Sequence, residues 1–168
     1  MSQLAITSIQ RLTQAGADFA IIPSNAPHYG YAQIAAASAI PVLNLLEITA
    51  QECATQGYRT IAVLGTKATM TGGLYDAALK ANGLSTVTVP EDTQTAIDRF
   101  IMDEIIPGKT TSITTANVKK LIEQLTCDAV ILGCTELPEV YGPDNLLTIP
   151  SVDTTRLLAL KAVARAQS

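Results

Sequence analysis

The stretch DAVILGCTELP, residues 128–138, decides the fold class of this chain. Its first part, Ala129–Leu132, is a short continuous apolar run, which is typical of a strand covered on both faces. A glycine and Cys134 follow, and we then expect a helix with Thr135 as its N-cap and Pro138 in its first turn. The pattern predicts a buried parallel strand with a cysteine at its carboxyl end.

Cys134 is the first candidate for chemistry because of this position. Open α/β sheets bind ligands at the carboxyl ends of their strands. A helix N-terminus also stabilises a thiolate, so we expect the pKa of this thiol to be lowered. The alternative is that Cys134 packs as a small apolar side chain, as free cysteines often do. Packing is the expected role of Cys53 and Cys127, which lie on helical patterns.

Composition restricts the class of protein. The 168 residues carry a net charge of −4 without a basic run, which argues against a nucleic-acid-binding surface. No apolar stretch reaches the length of a membrane span, and the N-terminal segment lacks the apolar core of a signal peptide. Three cysteines provide neither a disulfide framework nor zinc-finger spacing. We therefore expect a globular protein of the reducing cytoplasm, without a membrane or nucleic-acid partner.

Strands and helices alternate along the chain, which is the pattern of βαβ units around a mainly parallel sheet. The predicted class is therefore α/β with a parallel sheet. Strands are expected over residues 18–23, 40–45, 60–65, 85–89, 129–132 and 147–150. Helices are expected over residues 2–15, 27–37, 47–56, 74–82, 91–106, 112–125 and 154–166. The Thr/Gly-rich stretch 66–73 is predicted to be a loop.

Two distant parts of the chain share a similar sequence pattern. The first half-site, residues 16–28 (GADFAIIPSNAPH), repeats the plan of the second half-site, residues 127–138 (CDAVILGCTELP). Each has an aspartate, an apolar strand pattern, and then a small residue of nucleophilic type before a helix start. Ser24 and Cys134 each follow their aspartate by six residues. Two such halves facing each other would place Ser24 and Cys134 on opposite sides of one cleft.

Four stretches carry a resemblance to a known family. They are SNAPH (24–28), VLGTKATMTGGLY (63–75), VILGCTELP (130–138) and IPSVDTT (149–155). In this order and at these spacings they resemble the aspartate/glutamate (Asp/Glu/hydantoin) racemase family over essentially the whole chain. The resemblance implies two pseudo-symmetric α/β lobes with the active site between them. It also implies chemistry without pyridoxal phosphate, metal or nucleotide, in which one thiolate removes the α-proton and a second thiol returns a proton from the opposite face.

The resemblance assigns candidate catalytic residues. Cys134 matches the cysteine of the second lobe, whereas Ser24 stands where the acid/base of the first lobe is expected. A serine hydroxyl is a weak acid and a weak base near neutrality unless a neighbouring group activates it. This departure argues against a symmetrical two-base reaction. His28 and Glu136 are candidate proton relays.

Substrate-binding residues also follow from the resemblance. Asn25 matches an asparagine that contacts the amino-acid substrate in this family, with Ala26 in place of the usual threonine. Hydroxyl donors to a substrate carboxylate are expected from the Thr/Gly-rich stretch and from the second half-site. We favour Thr69 and Thr135, with Thr66 and Thr71 as further candidates. No cofactor-binding or metal-binding residue is expected.

Length is a second departure from the family pattern. Family members usually begin with a further segment that supplies a strand, a Gly-rich substrate loop and another strand. This chain starts on the helix before the first half-site, so a truncated first lobe is expected. That lobe would comprise residues 1–45 with the closing helix 152–168, and residues 46–151 would form the second lobe. Exposed strand edges invite pairing with another chain, so we expect a homodimer.

The leading hypothesis is a cofactor-independent racemase or epimerase of a small acidic amino acid, aspartate or glutamate. Cys134 would be its acid/base residue. One alternative is a related decarboxylase, which needs a single thiol to protonate an enolate from one face. The other is a catalytically inactive homologue that binds an acidic ligand or a partner protein, a reading favoured by Ser24, by Ala26 and by the short first lobe.

Overall fold

The computed structural model describes residues 2–142 and 147–168. Its strands pair in parallel within one sheet, in the spatial order second, first, third, fourth. The α/β class with a parallel sheet, predicted from the alternation of strand and helix patterns, is confirmed. In chain order the strands are β1 (Thr60–Leu64), β2 (Ser85–Val87), β3 (Ala129–Leu132) and β4 (Ser151–Asp153).

The central strands β1 and β3 are covered on both faces, as their apolar sequences predict. Ile61 pairs with Ala129 and Leu64 with Leu132, so the two strands end level with each other. Alternate side chains enter two different hydrophobic clusters because successive strand residues point to opposite faces. Val130 and Leu132 lie in the cluster that contains Phe100. Their strand neighbours Ala129 and Ile131 lie in the other cluster.

Helices cover both faces of the sheet, and three of them are capped by a side chain. Asn44, Thr111 and Asp153 each accept a hydrogen bond from a backbone N–H of the first helical turn. The helices are α1 (Ser2–Gln14), α2 (Tyr31–Ala36), α3 (Leu45–Thr55), α4 (Lys67–Thr71), α5 (Asp76–Ala81), α6 (Glu91–Arg99), α7 (Ser112–Glu123), α8 (Leu137–Tyr141) and α9 (Thr154–Ala166). A 3₁₀ turn (Ala26–Gly30) precedes α2, and a π-helical turn (Phe100–Ile105) follows α6.

Two predicted strands, residues 18–23 and 40–45, are not strands in the structure. They meet only through an isolated parallel bridge between Ala20 and Val42. The N–H of Ala20 donates to the Pro41 carbonyl at 2.8 Å, and the N–H of Leu43 donates to the Ala20 carbonyl at 3.0 Å. A strand needs a ladder of such bonds, and Pro41 supplies no N–H to extend this one. An apolar run therefore formed a strand only where neighbouring strands were available.

Two further predictions of local structure were wrong. Residues 67–71, predicted to be part of a loop, form α4. The last strand is not residues 147–150 but Ser151–Asp153. Pro150 has no N–H to donate, and its carbonyl instead accepts from the N–H of Val130 at 2.9 Å, so pairing with β3 starts there.

The N-terminal residues have a small apolar core of their own. It contains Ile6 and Ile9 from α1, Ile34 from α2, and the bridged residues Ala20 and Val42. The division into lobes at residue 45 stays a prediction. Within the part of the chain that the structure describes, no helix is long and apolar enough to cross a membrane.

Candidate active site

The backbones of β1 and β3 lie in close contact at the carboxyl ends of the two strands. The N–H of Gly133 donates to the Leu64 carbonyl at 2.7 Å. A Cβ atom at Gly133 would lie 2.9 Å from that carbonyl oxygen and 3.3 Å from the methyl group of Thr69. Only glycine allows this approach without a shift of backbone. The glycine that precedes Cys134 thus fixes where the cysteine leaves the sheet.

Cys134 lies half-buried at this edge, as its position after the buried run predicted. Its thiol donates a hydrogen bond to Oε2 of Glu136 at 2.9 Å. Burial, followed by this hydrogen bond and the negative charge of Glu136, raises the pKa of the thiol to about 12. The predicted lowering of this pKa was therefore wrong. Backbone N–H groups of Thr135 and Glu136 do lower it, but by less than burial and the carboxylate raise it.

The helix after Cys134 starts later than predicted. It begins at Leu137, and its N-cap is Glu136, which makes no side-chain capping bond. Thr135 is therefore not the N-cap; it is exposed, and its hydroxyl bonds to the Glu136 carboxylate. Bonds from Cys134 first, and from Thr135, lower the pKa of Glu136, so this carboxylate is held ionised beside the thiol.

The first half-site is held by the ring of His28. Its Nε2 accepts a hydrogen bond from the N–H of Leu45 at 3.3 Å, so the proton must be on Nδ1, which donates to the Ser24 carbonyl at 2.9 Å. Burial lowers the pKa of His28. Both ring nitrogens are thus bonded to backbone groups, and a proton relay through His28 would require one of these bonds to break.

Asn25 is buried, and both polar atoms of its amide have partners. Oδ1 accepts a short hydrogen bond from the hydroxyl of Tyr75. Nδ2 donates to Oγ1 of Thr154 at 3.2 Å, and that hydroxyl donates to the carbonyl of Leu132 at 3.1 Å. The amide nitrogen carries a second N–H beyond the one bonded to Thr154. Sequence reasoning missed Tyr75 and Thr154, although both lie inside the stretches that carry the family resemblance.

The predicted hydroxyl donors separate into two groups. Thr66 and Thr69 bond to each other through their hydroxyls at 3.2 Å, and Thr69 is buried beneath Gly65 and Gly133. Thr71 is exposed, and its hydroxyl donates to the carbonyl of Lys67 within its own helix at 2.9 Å. The structure therefore brings Thr69 and Thr66 to the edge of the sheet and leaves Thr71 away from it.

Tyr29 connects the first half-site to the threonine helix α4. Its hydroxyl donates to the carbonyl of Ala68 at 3.0 Å. The ring lies against Gly72, where a Cβ atom would be 2.0 Å from the hydroxyl oxygen. Both half-sites therefore border the same end of the sheet: one through Asn25 and Tyr29, the other through Cys134.

Comparison with known proteins identifies the family to which the chain is similar. The model of the Asp/Glu/hydantoin racemase family matches residues 2–162. A broad specificity amino-acid racemase from Bacillus subtilis is 29% identical over 167 residues, which are 98% of this chain and 71% of that protein. A candidate Asp/Glu racemase from Yersinia pestis superposes with a TM-score of 0.89 at 27% identity, over 99% of this chain and 74% of that one. An aspartate racemase homologue from Pyrococcus horikoshii gives 0.85 at 26% identity, over the same shares of the two chains.

Proposed function

Because this chain belongs to the Asp/Glu/hydantoin racemase family, we propose that it exchanges the α-proton of a small acidic amino acid, aspartate or glutamate. The exchange uses Cys134 as acid and base and needs no cofactor. The observation that carries the proposal is the bond between the Cys134 thiol and the Glu136 carboxylate at the carboxyl edge of β3. The names of relatives that include aspartate racemases and a broad specificity amino-acid racemase support the substrate class.

The thiol and carboxylate work as a pair. Near neutrality the thiol carries its proton, because its pKa is raised to about 12. To act as a base, Cys134 passes this proton to Oε2 of Glu136, and the thiolate then takes the α-proton. The electron pair of the broken C–H bond stays on the substrate as a carbanion. A thiolate of high pKa is scarce, but it is a stronger base towards a very weak carbon acid.

Return of the proton decides the stereochemical result. If the Cys134 thiol gives the proton back, the amino acid keeps its configuration. If the proton comes from the side of Ser24, the configuration inverts. Ser24 lacks a thiol, and the nearby ring of His28 is bonded to backbone groups, so we expect inversion to be slower than exchange.

The remaining side chains bind the substrate. Thr69 and Thr66 offer hydroxyl groups at the ends of β1 and β3, and Thr135 offers another beside Glu136. These donors and the free N–H of Asn25 stabilise carboxylate charge and the negative charge that develops on proton removal. Thr71 can bind the substrate only if its hydroxyl gives up the hydrogen bond to the Lys67 carbonyl. We further propose that the protein acts in the cytoplasm as a homodimer.

Proton NMR in deuterated water tests the proposal. The reduced protein is incubated with L- and D-aspartate and with L- and D-glutamate, and the same samples go to chiral analysis. Loss of an α-proton signal with formation of the opposite enantiomer supports a racemase. Exchange with retained configuration supports a reaction by Cys134 alone, the pattern that a one-thiol active site would give. If a folded, reduced sample exchanges none of the four, the racemase proposal fails and a ligand-binding homologue becomes the better account.

A further inference from the structure

Three buried side chains form a continuous hydrogen-bonded chain between the two half-sites. We call Tyr75, Asn25 and Thr154 the Asn25 network. Their side chains expose 1%, 4% and 1% of their surface, so water does not compete for these bonds. The network joins residues that are 50 and 129 positions apart in sequence. Such long-range polar contacts in a core are costly unless every group is satisfied.

The direction of every bond in the network is determined. Tyr75 can only donate to the amide oxygen of Asn25, because burial raises the pKa of the phenol and keeps it protonated. Asn25 therefore points Nδ2 at Thr154, whose hydroxyl must donate onward to the Leu132 carbonyl. After a flip of the amide, the Tyr75 oxygen would have to accept from Nδ2, and Oδ1 would face Thr154, whose single proton could then no longer reach the Leu132 carbonyl. One arrangement of the three side chains satisfies all of them.

The ends of the network lie next to the reacting groups. Asn25 directly follows Ser24, and Leu132 lies two residues before Cys134. We propose that the Asn25 network is a positioning device that sets the distance between Ser24 and Cys134 across the substrate. None of its members takes or gives the α-proton, although Asn25 also offers one N–H to the substrate. This inference rests on the proposed function, since it assigns Ser24 and Cys134 to opposite faces of one α-carbon.

A positioning role differs from a purely structural one in what it predicts. Loss of a buried hydrogen bond anywhere in the core lowers stability. Loss of a bond in this network should also move Ser24 relative to Cys134, and small misplacements of reacting groups slow chemistry strongly. Tyr141 supplies the matched control. It is fully buried in the other cluster, and its hydroxyl donates at 2.8 Å to the Thr115 carbonyl of α7, which belongs to neither half-site.

The first arm of the test compares Tyr75→Phe with Tyr141→Phe in the exchange reaction. We expect Tyr75→Phe to lower kcat about tenfold with a change in KM of less than about threefold. Tyr141→Phe should lower the melting temperature similarly and leave kcat unchanged. Thr154→Ser keeps the hydroxyl and should retain activity, whereas Thr154→Val should reproduce the loss. Equal kcat in the two tyrosine variants, or no difference between the two threonine variants, would overturn the proposal.

The second arm measures the distance between positions 24 and 134, and it does not require catalytic activity. Ser24→Cys places a second thiol opposite Cys134, and dibromobimane fluoresces only when it bridges two thiols. Peptide mapping locates the bridge, which separates it from reaction at Cys53 or Cys127. We expect a bridge between positions 24 and 134 that forms about fivefold more slowly when Tyr75→Phe is added, and at an unchanged rate with Tyr141→Phe.

The two arms separate the two proposals. A wild-type protein without exchange activity, but with network-dependent bridging, would refute the racemase proposal and retain the positioning role. Absence of any bridge between positions 24 and 134 would refute the positioning role itself. Bridging that is insensitive to Tyr75→Phe would refute it as well.

Discussion

The two half-sites begin from the same sequence plan and end as different structures. In the second half-site, Ala129–Leu132 pairs with β1 on one side and β4 on the other. The Asp128 carboxylate accepts hydrogen bonds from the N–H groups of Arg59 and Thr60, both at 2.8 Å, which fixes the start of the pairing. In the first half-site, pairing stops at one bridge. Among the described residues, no hydrogen bond or ion pair holds the carboxylate of Asp18.

An aspartate, an apolar run and a small residue therefore do not make a strand on their own. The second half-site is rigid because its neighbours supply a hydrogen-bond ladder. The first is held instead by side chains: the ring of His28 below Ser24, and the Asn25 amide beside it. Chemistry that needs a fixed acid/base is therefore expected from the second half-site, and slower proton delivery from the first.

Substitution of the reactive side chains, Cys134 and Ser24, should give the largest difference between the half-sites. Cys134→Ser should lower α-proton exchange by about a thousandfold or more, because the hydroxyl is a far weaker acid/base than the thiol. Ser24→Ala should slow only inversion and leave exchange with retained configuration near the wild-type rate. Proton NMR in deuterated water with chiral analysis measures both. An equal loss of exchange in the two variants would show that the half-sites act symmetrically.

The close approach of β1 and β3 predicts the next largest effect. Gly133→Ala places a Cβ atom 2.9 Å from a backbone carbonyl, so the backbone must shift, and we expect a loss of about 1–3 kcal/mol in the free energy of unfolding. Gly65→Ala meets Thr69 side-chain atoms at 3.1 Å and the Gly133 carbonyl at 3.3 Å, which is a smaller overlap, and should cost less. Urea unfolding measures both values. A larger loss at position 65 would contradict this ranking.

The first half-site should be the more sensitive to acid. Because the pKa of His28 is lowered on folding, the unfolded chain binds more protons below a pH of about 6.5. The stabilisation by neutral His28 is thus complete above that pH and is lost as pH falls towards the folded pKa. The contribution of His28 to the slope should be positive and no larger than about 1.4 kcal/mol per pH unit, the value for one proton. Unfolding at pH 5–7 should show this slope in wild type and a flatter profile in His28→Asn, whose amide can still donate to the Ser24 carbonyl.

The smallest predicted effect concerns the partner of the thiol. Glu136→Gln removes a negative charge and a charged acceptor, so the pKa of Cys134 should fall from about 12. Alkylation of Cys134 by iodoacetamide at pH 8 should become about threefold faster or more, measured by peptide mapping. Glu139→Gln, on the exposed face of α8, is the matched control and should leave the rate unchanged. Slower alkylation in Glu136→Gln would mean that the carboxylate activates the resting thiol.

Much of the second half-site could be predicted because its signals are local. The buried run Ala129–Leu132 predicted β3, and its carboxyl end located Cys134 at the edge of the sheet. The family resemblance, which is confirmed, rested on motifs in the right order. Two of the failures share one cause. Strand formation at residues 18–23 and the sign of the Cys134 pKa shift depend on neighbours that only the folded chain supplies.

The Asn25 network also depends on neighbours that are distant in sequence. Asn25 was expected to face the substrate, yet its amide oxygen and one of its N–H groups bond to side chains in the core. Tyr75 and Thr154 both look in the sequence like residues at the start of a helix, because nothing local marks a contact across 50 or 129 residues. Both residues lie in stretches that carry the family resemblance, but those stretches do not indicate what the two side chains do.

The initial rate of α-proton loss, measured separately from each enantiomer in deuterated water, would show whether the two half-sites differ in reactivity. Only one enantiomer can point its α-proton at Cys134, whereas the other must use the side of Ser24. We predict that one enantiomer of aspartate or glutamate loses its proton about tenfold faster or more, with retained configuration, and that this fast exchange disappears in Cys134→Ser. Equal rates from both enantiomers, or fast exchange that survives Cys134→Ser, would contradict the account.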